Sequence, residues 1–279
     1  MNKKQRSNLL GIILAFLLSV VLFLILLIGC IHTTLFSEHY ALKTMEKSGY
    51  YTQLQEEISN EIIALGAAGG VEEDLLDSSL YVNLQRDCEN KVRRSFSGSN
   101  ADIDTSEFRT LITERVNQAA ERKNVYITEE VQNAMDRLID ACVSVYDTKI
   151  NLLFFTVMAP AIEKVDRYLY IGEAFLVIMA LLIALLMSLS QRYKHRAYRT
   201  YIYALSGTFL MLGAIPIYMY ASKLIERVYI TTKSFYDFIV LWLNGVVMRF
   251  VILDLIILIV MGILVYLYQK SIPFKRRFD

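Results

Sequence analysis

The scarcest residues in this chain narrow its chemistry first. Three histidines, three cysteines and three prolines occur in 279 residues. The histidines are scattered, so they offer no clustered imidazole set for a metal. No H-E-x-x-H, no G-x-S-x-G and no glycine-rich phosphate loop is present. No dense Asp/Asn/Gly loop suggests a calcium hand. No nucleophile–base pair is visible either, so the expectation is a non-enzymatic protein with no cofactor. The absence of N-x-S/T sequons and the tight, linker-free build suit a bacterial plasma membrane.

Acids are missing from one stretch in particular. Gln191 to Arg199 carries Arg192, Lys194, Arg196, Arg199 and His195 with no carboxylate. Long apolar runs flank it on both sides. A short basic link between hydrophobic spans resists translocation, because lysine and arginine near span ends stay on the cytoplasmic side. The same rule applies to Lys3, Lys4 and Arg6 at the start and to Lys275, Arg276 and Arg277 near the end. All three basic segments are expected in the cytoplasm. They are too short to form a kinase, nucleotide-binding or DNA-binding domain, and anionic lipid heads explain their charge better than nucleic acid does.

What is abundant is apolar sequence: 55% of residues are hydrophobic, and they cluster. A membrane helix needs about 20 residues. Leu9 to Ile31, Tyr168 to Ser190 and Thr200 to Tyr220 each meet that requirement. Phe235 to Tyr268 is too long for one perpendicular span, at about 50 Å. A division near Arg249 gives an outer amphipathic segment, Phe235 to Met248, and a fourth span, Phe250 to Tyr268. The expected fold is an all-α integral membrane protein with four transmembrane helices. A helical-bundle extracytoplasmic domain lies between the first and second.

The expected boundaries are 1–7 (cytoplasmic), 8–32 (first span), 33–166 (extracytoplasmic domain), 167–190 (second span) and 191–199 (basic loop). They continue with 200–221 (third span), 222–249 (outer loop), 250–269 (fourth span) and 270–279 (tail). A cleaved signal peptide competes for the first run, but that run is long and lacks a small-x-small cleavage site. Leu27-Ile28-Gly29-Cys30 looks like a lipobox, although so loose a pattern is common in apolar helices. The preferred reading is an uncleaved anchor with Cys30 as a small apolar residue.

Residues 33 to 166 hold 23 acids against 13 bases, a net charge of about −10. Ser37 caps a helix carrying Tyr40, Met45, Tyr51, Leu54, Ile58 and Ile62, with a break at Gly49. Gly66 to Gly70 reads as a loop. A helix from Ser79 to Phe96 follows, with Leu80, Leu84, Cys88 and Val92 on one face. Asp104 and Glu107 suggest a capping box for the helix bearing Phe108, Leu111, Ile112 and Val116. Thr128 caps the helix with Val131, Met135, Leu138, Ile139, Cys142 and Val145. Asn151 to Ala159 is too short to span and is expected to end at Pro160, as core or as an interfacial segment. Cys88 and Cys142 form a candidate disulfide, weighed against two separate buried thiols.

Two carboxylates fall within spans, Glu173 and Asp254. Ionisable groups in lipid are costly and mark candidate sites. Arg249 is placed to neutralise Asp254, and His32 could join them; a structural ion pair is the simpler account. The favoured function is a scaffold, sensor or accessory subunit whose extracytoplasmic domain recognises something outside and works with the bilayer and a membrane or extracytoplasmic protein partner. The alternative is a small transporter or channel subunit that uses Glu173 and Asp254 for ions or protons.

Overall fold

A computed structural model describes residues 3–68, 79–99, 102–151, 153–191, 194–225, 227 and 232–271. The chain is helical, with no strand among the described residues. Its helices are α1 (Lys3–Thr34), α2 (Glu38–Lys47), α3 (Tyr50–Ala68), α4 (Ser79–Phe96), α5 (Ser106–Arg122), α6 (Glu129–Ile150), α7 (Leu153–Ser190), α8 (Lys194–Ala221) and α9 (Lys233–Ser271). Four are long and apolar enough to cross a membrane, over Leu9–Thr34, Lys164–Ser190, His195–Ala221 and Lys233–Ser271. The chain divides into two units. One comprises Met1–Phe36, Asp166–Val228 and Trp242–Asp279, the other Ser37–Val165 and Tyr229–Leu241.

In the apolar unit, side-chain contacts fix the direction of each helix. Gly11 meets Thr200, and Ser19 meets Gly207 and Thr208, so α1 and α8 run the same way. His32 meets Asp166 and Gly29 meets Glu173, so α7 runs opposite to α1. Ser206 meets Met261 and Gly213 meets Asp254, so α9 runs opposite to α8. The α1–α8 approach depends on small residues. A Cβ on Gly207 would lie 2.9 Å from the Ser19 side chain, and the Thr208 hydroxyl makes a 3.2 Å hydrogen bond to the Ser19 carbonyl. Small residues allow such close backbone approach in apolar surroundings. One buried cluster joins α1, α7 and α8 through Leu18, Val21, Ile183, Met187 and Ala204. A second joins α1, α8 and α9 through Cys30, Leu212, Val246, Phe250 and Ile257. The small-residue row Ala180, Ala184 and Ser188 on α7 receives Tyr201, whose hydroxyl bonds the Ala184 carbonyl and the Ser188 hydroxyl, each at 2.8 Å.

Several expected boundaries change. No break occurs at Arg249: α9 is continuous over 39 residues, about 58 Å of helix. The helix continues through Asn244-Gly245, a turn-favouring pair, and through Arg249, with Trp242, Val246 and Phe250 buried along it, so neither the pair nor the charge interrupts the backbone. Pro160 lies inside α7 and does not end the stretch before it. Phe155, Ala159 and Ile162 are buried around it, and that packing outweighs one lost backbone hydrogen bond. The basic link is shorter than 191–199, because α8 begins at Lys194. Arg196 and Arg199 lie in the first turns of α8, and Lys3, Lys4 and Arg6 lie in those of α1. Arg192, Lys275, Arg276 and Arg277 lie outside the described residues. The expected loop at Gly66 starts later, since α3 continues through Ala68; Gly69 and Gly70 are outside the described residues.

The second unit is a helical bundle in which α6 contacts α3, α4 and α5. Its core holds most of the expected apolar face: Met45, Leu54, Ile58, Ile62, Leu84, Cys88, Val92, Ile112, Val116, Ile139 and Cys142 are buried, Tyr40, Leu111, Val131, Leu138 and Val145 are half-buried, and the Leu80 side chain lies outside the described residues. Ser37 caps α2 by accepting from the Tyr40 amide, and Thr128 caps α6 by accepting from the Val131 amide. Gly49 turns the chain between α2 and α3 at φ +67°, where a side chain would be strained. The capping box at α5 is not formed. Thr105 is the cap residue and makes no side-chain cap bond. Asp104 instead accepts from the Ser106 amide, and Glu107 pairs with Arg86. Cys88 and Cys142 are buried free thiols, so no bridge joins them in this structure. Burial pushes the Cys142 thiol up to about 11 and raises that of Cys88 as well, with Asp87 and Glu89 adding to the latter.

Candidate functional site

A cleft of about 440 Å³ in the apolar unit lies where α1, α7 and α9 meet. Ile25, Leu26, Gly29, Cys30 and Thr33 of α1 line it, with Glu173 of α7 and Arg249, Ile252 and Leu253 of α9. Its polar end is built on the last turn of α1. There the final carbonyls have no helical partner and carry the negative end of the helix dipole. Arg249 meets that need: its Nη1 donates to the Thr33 carbonyl at 2.9 Å and to the Thr33 hydroxyl at 3.0 Å. The Thr33 hydroxyl in turn donates to the Gly29 carbonyl at 2.8 Å. The Glu173 carboxylate reaches the space left by the missing side chain of Gly29, with Oε1 3.4 Å from where a Cβ would stand.

The expected polar quartet divides into three places. Glu173 and Arg249 line the same cleft. Asp254 does not line it; it faces α8, where a Cβ on Gly213 would lie 2.6 Å from its Oδ2. Its Oδ1 is buried and accepts no hydrogen bond from the described residues. The expected Arg249–Asp254 pair is not formed. His32 joins neither acid and bonds Asp166 instead, Nε2 to Oδ1 at 3.0 Å, with the Tyr170 ring edge-on at 4.5 Å. Thr33, Gly29, Gly213 and Asp166 are thus site residues that the sequence did not single out. Only Asp166 carried a usable signal, as the acid that an antiparallel second helix brings level with His32. Among the described residues, no group of three His, Cys, Asp or Glu side chains is placed to hold a metal.

The bundle carries a different candidate surface between α5 and α6. Val125, Tyr126 and Ile127 are consecutive and 41%, 91% and 59% exposed. Single exposed apolar residues are ordinary; three in a row that project from an otherwise polar surface are not. The loop is tightly held. Asn124 sits in the left-handed region at φ +50°, its amide bonds the Glu121 carbonyl, and the Val125 amide bonds the Ala120 carbonyl. Those two bonds are the Schellman closure of a helix. On the far side, Thr128 caps α6. The sequence reading identified that cap and passed over the three residues before it.

No family model, no curated protein and no solved structure matches this chain.

Proposed function

We propose that this is a non-enzymatic multi-pass protein of the plasma membrane, in bacteria the cytoplasmic membrane. Both termini lie in the cytoplasm and the helical bundle lies on the extracytoplasmic side. The bundle recognises a protein partner, so the molecule works as a scaffold, sensor or accessory subunit. The observation that carries the reading is the Val125–Tyr126–Ile127 tip. Tyrosine supplies a large, rigid contact with a polar end, the kind of residue that dominates binding energy at interfaces. Because the loop is closed on both sides by backbone and cap hydrogen bonds, docking it costs little ordering entropy.

Affinity purification of the full chain from its own membranes in mild detergent tests this, with the double variant Tyr126→Ser/Ile127→Ser alongside. The expected result is a stoichiometric partner that the variant loses by at least tenfold while its helicity is unchanged. A chain that elutes alone, or a partner held equally by both proteins, defeats the proposal.

A second reading rests on Asp254, a carboxylate in an apolar helix with one buried oxygen that the described residues leave without a hydrogen bond. It is a small transporter or channel subunit using Glu173 and Asp254. In liposomes, Asp254→Asn with Glu173→Gln would then abolish an ion or proton flux shown by the unsubstituted protein. Absence of flux from that protein rejects this reading.

A further inference from the structure

We infer that the cleft between α1, α7 and α9 binds a phospholipid with a primary ammonium headgroup, of the phosphatidylethanolamine class. The inference rests on the four long helices crossing a bilayer and is independent of the partner reading.

Two features point to this occupant. The first is charge complementarity. The cleft holds one carboxylate, Glu173, and one guanidinium, Arg249. An ammonium donates to the former and a phosphodiester accepts from the latter, and guanidinium geometry suits phosphate oxygens. The second is polarity along the cleft. Thr33, Gly29 and Arg249 stand at one end; Ile25, Leu26, Ile252 and Leu253 continue from them into the apolar run. Since α9 runs opposite to α1, residues after Arg249 and residues before Gly29 lie on the same side of that polar end. Helical side chains lean toward the N-terminus of their own helix. For α7 and α9 this direction is toward the Asp166–Thr33 end, so Glu173 and Arg249 both lean toward headgroup depth. An acyl chain then lies on the isoleucine and leucine floor.

The alternatives fit less well. A phosphatidylglycerol has no cationic donor for Glu173, so its phosphodiester charge, the same one phosphatidylethanolamine carries, stands there without an ammonium to balance it. A choline headgroup is cationic but has no N–H, so it gives the carboxylate no hydrogen bond. The Thr33 hydroxyl and carbonyl hold the guanidinium against the cleft wall, so the cationic partner is already in position before lipid arrives.

The test uses the full chain in nanodiscs of equal phosphatidylethanolamine, phosphatidylglycerol and phosphatidylcholine. Lipid retained on release is counted by native mass spectrometry. The unsubstituted protein should retain phosphatidylethanolamine about tenfold over either competitor, the effect of one charge-assisted hydrogen bond at a partly wetted site. Glu173→Gln should bring that preference to within twofold, and Arg249→Gln should lower retention of all three lipids. Soluble phosphoethanolamine in excess, lacking acyl chains, should not displace the lipid. Retention in proportion to the bulk mixture by the unsubstituted protein overturns the inference whatever the variants do. An undiminished preference in Glu173→Gln also overturns it.

Discussion

Within the bundle, Asp87 and Tyr146 form a buried polar contact. Both are buried, and the phenol donates to Asp87 Oδ2 at 2.8 Å while its ring stacks on Phe108 at 3.8 Å. Burial, and then the bond to Asp87, holds the phenol well above its ordinary range. A raised folded value means that stability is full below about pH 10, where the unfolded phenol ionises, and is lost as pH rises beyond it. Tyr146→Phe keeps the stack and removes the donor, leaving a buried carboxylate oxygen without that bond. The expected cost is about 1–3 kcal/mol, read from thermal or denaturant unfolding. No change would show that water replaces the phenol. The apolar faces around this pair were legible from four-residue spacing. The pairing was not, because nothing in sequence relates positions 87 and 146.

At the level of helices, α1 and α8 depend on what Gly207 lacks. A methyl there would sit 2.9 Å from Ser19, which forces the helices apart. Gly262 in α9 has nothing within 4 Å of an added Cβ. The two substitutions should therefore differ in sign. Gly207→Ala should destabilise by about 1–3 kcal/mol as overpacking. Gly262→Ala should be neutral or stabilise by up to about 1 kcal/mol through helix propensity. Thermal melts in one detergent compare them; equal effects would mean that the α1–α8 approach does not depend on Gly207. The periodicity of apolar residues foretold that these helices exist, and glycines in the third span were visible. A membrane-crossing helix is apolar all round, however, so its sequence does not reveal which face meets a neighbour.

For the whole molecule, the helix directions place the start of α1, the end of α7, the start of α8 and the end of α9 at one end of the apolar unit. Of the described basic residues, Lys3, Lys4, Arg6, Arg196 and Arg199 stand in helix turns at that end, the one assigned to the cytoplasm in the proposed topology. With the three native cysteines buried, single introduced thiols report sidedness cleanly. Asn133→Cys, exposed on α6 and away from the tip, should react with a membrane-impermeant maleimide in intact cells. Ser271→Cys should react only after permeabilisation. The reverse pattern would invert the topology and move the bundle to the cytoplasm.

Sequence alone determined the all-helical class, the four apolar runs, the Ser37 and Thr128 caps and most of the core face of the bundle. Those follow from local propensity, length and period, which act over a few residues. Tertiary structure decided that Arg249 turns to Thr33 and not to Asp254, that His32 meets Asp166, and that Glu173 shares a cleft with Arg249. It also decided that α7 and α9 run on through Pro160 and Arg249. Those outcomes depend on which residues come level when helices pack antiparallel, and on whether a charge finds a partner on another helix. No local pattern encodes either.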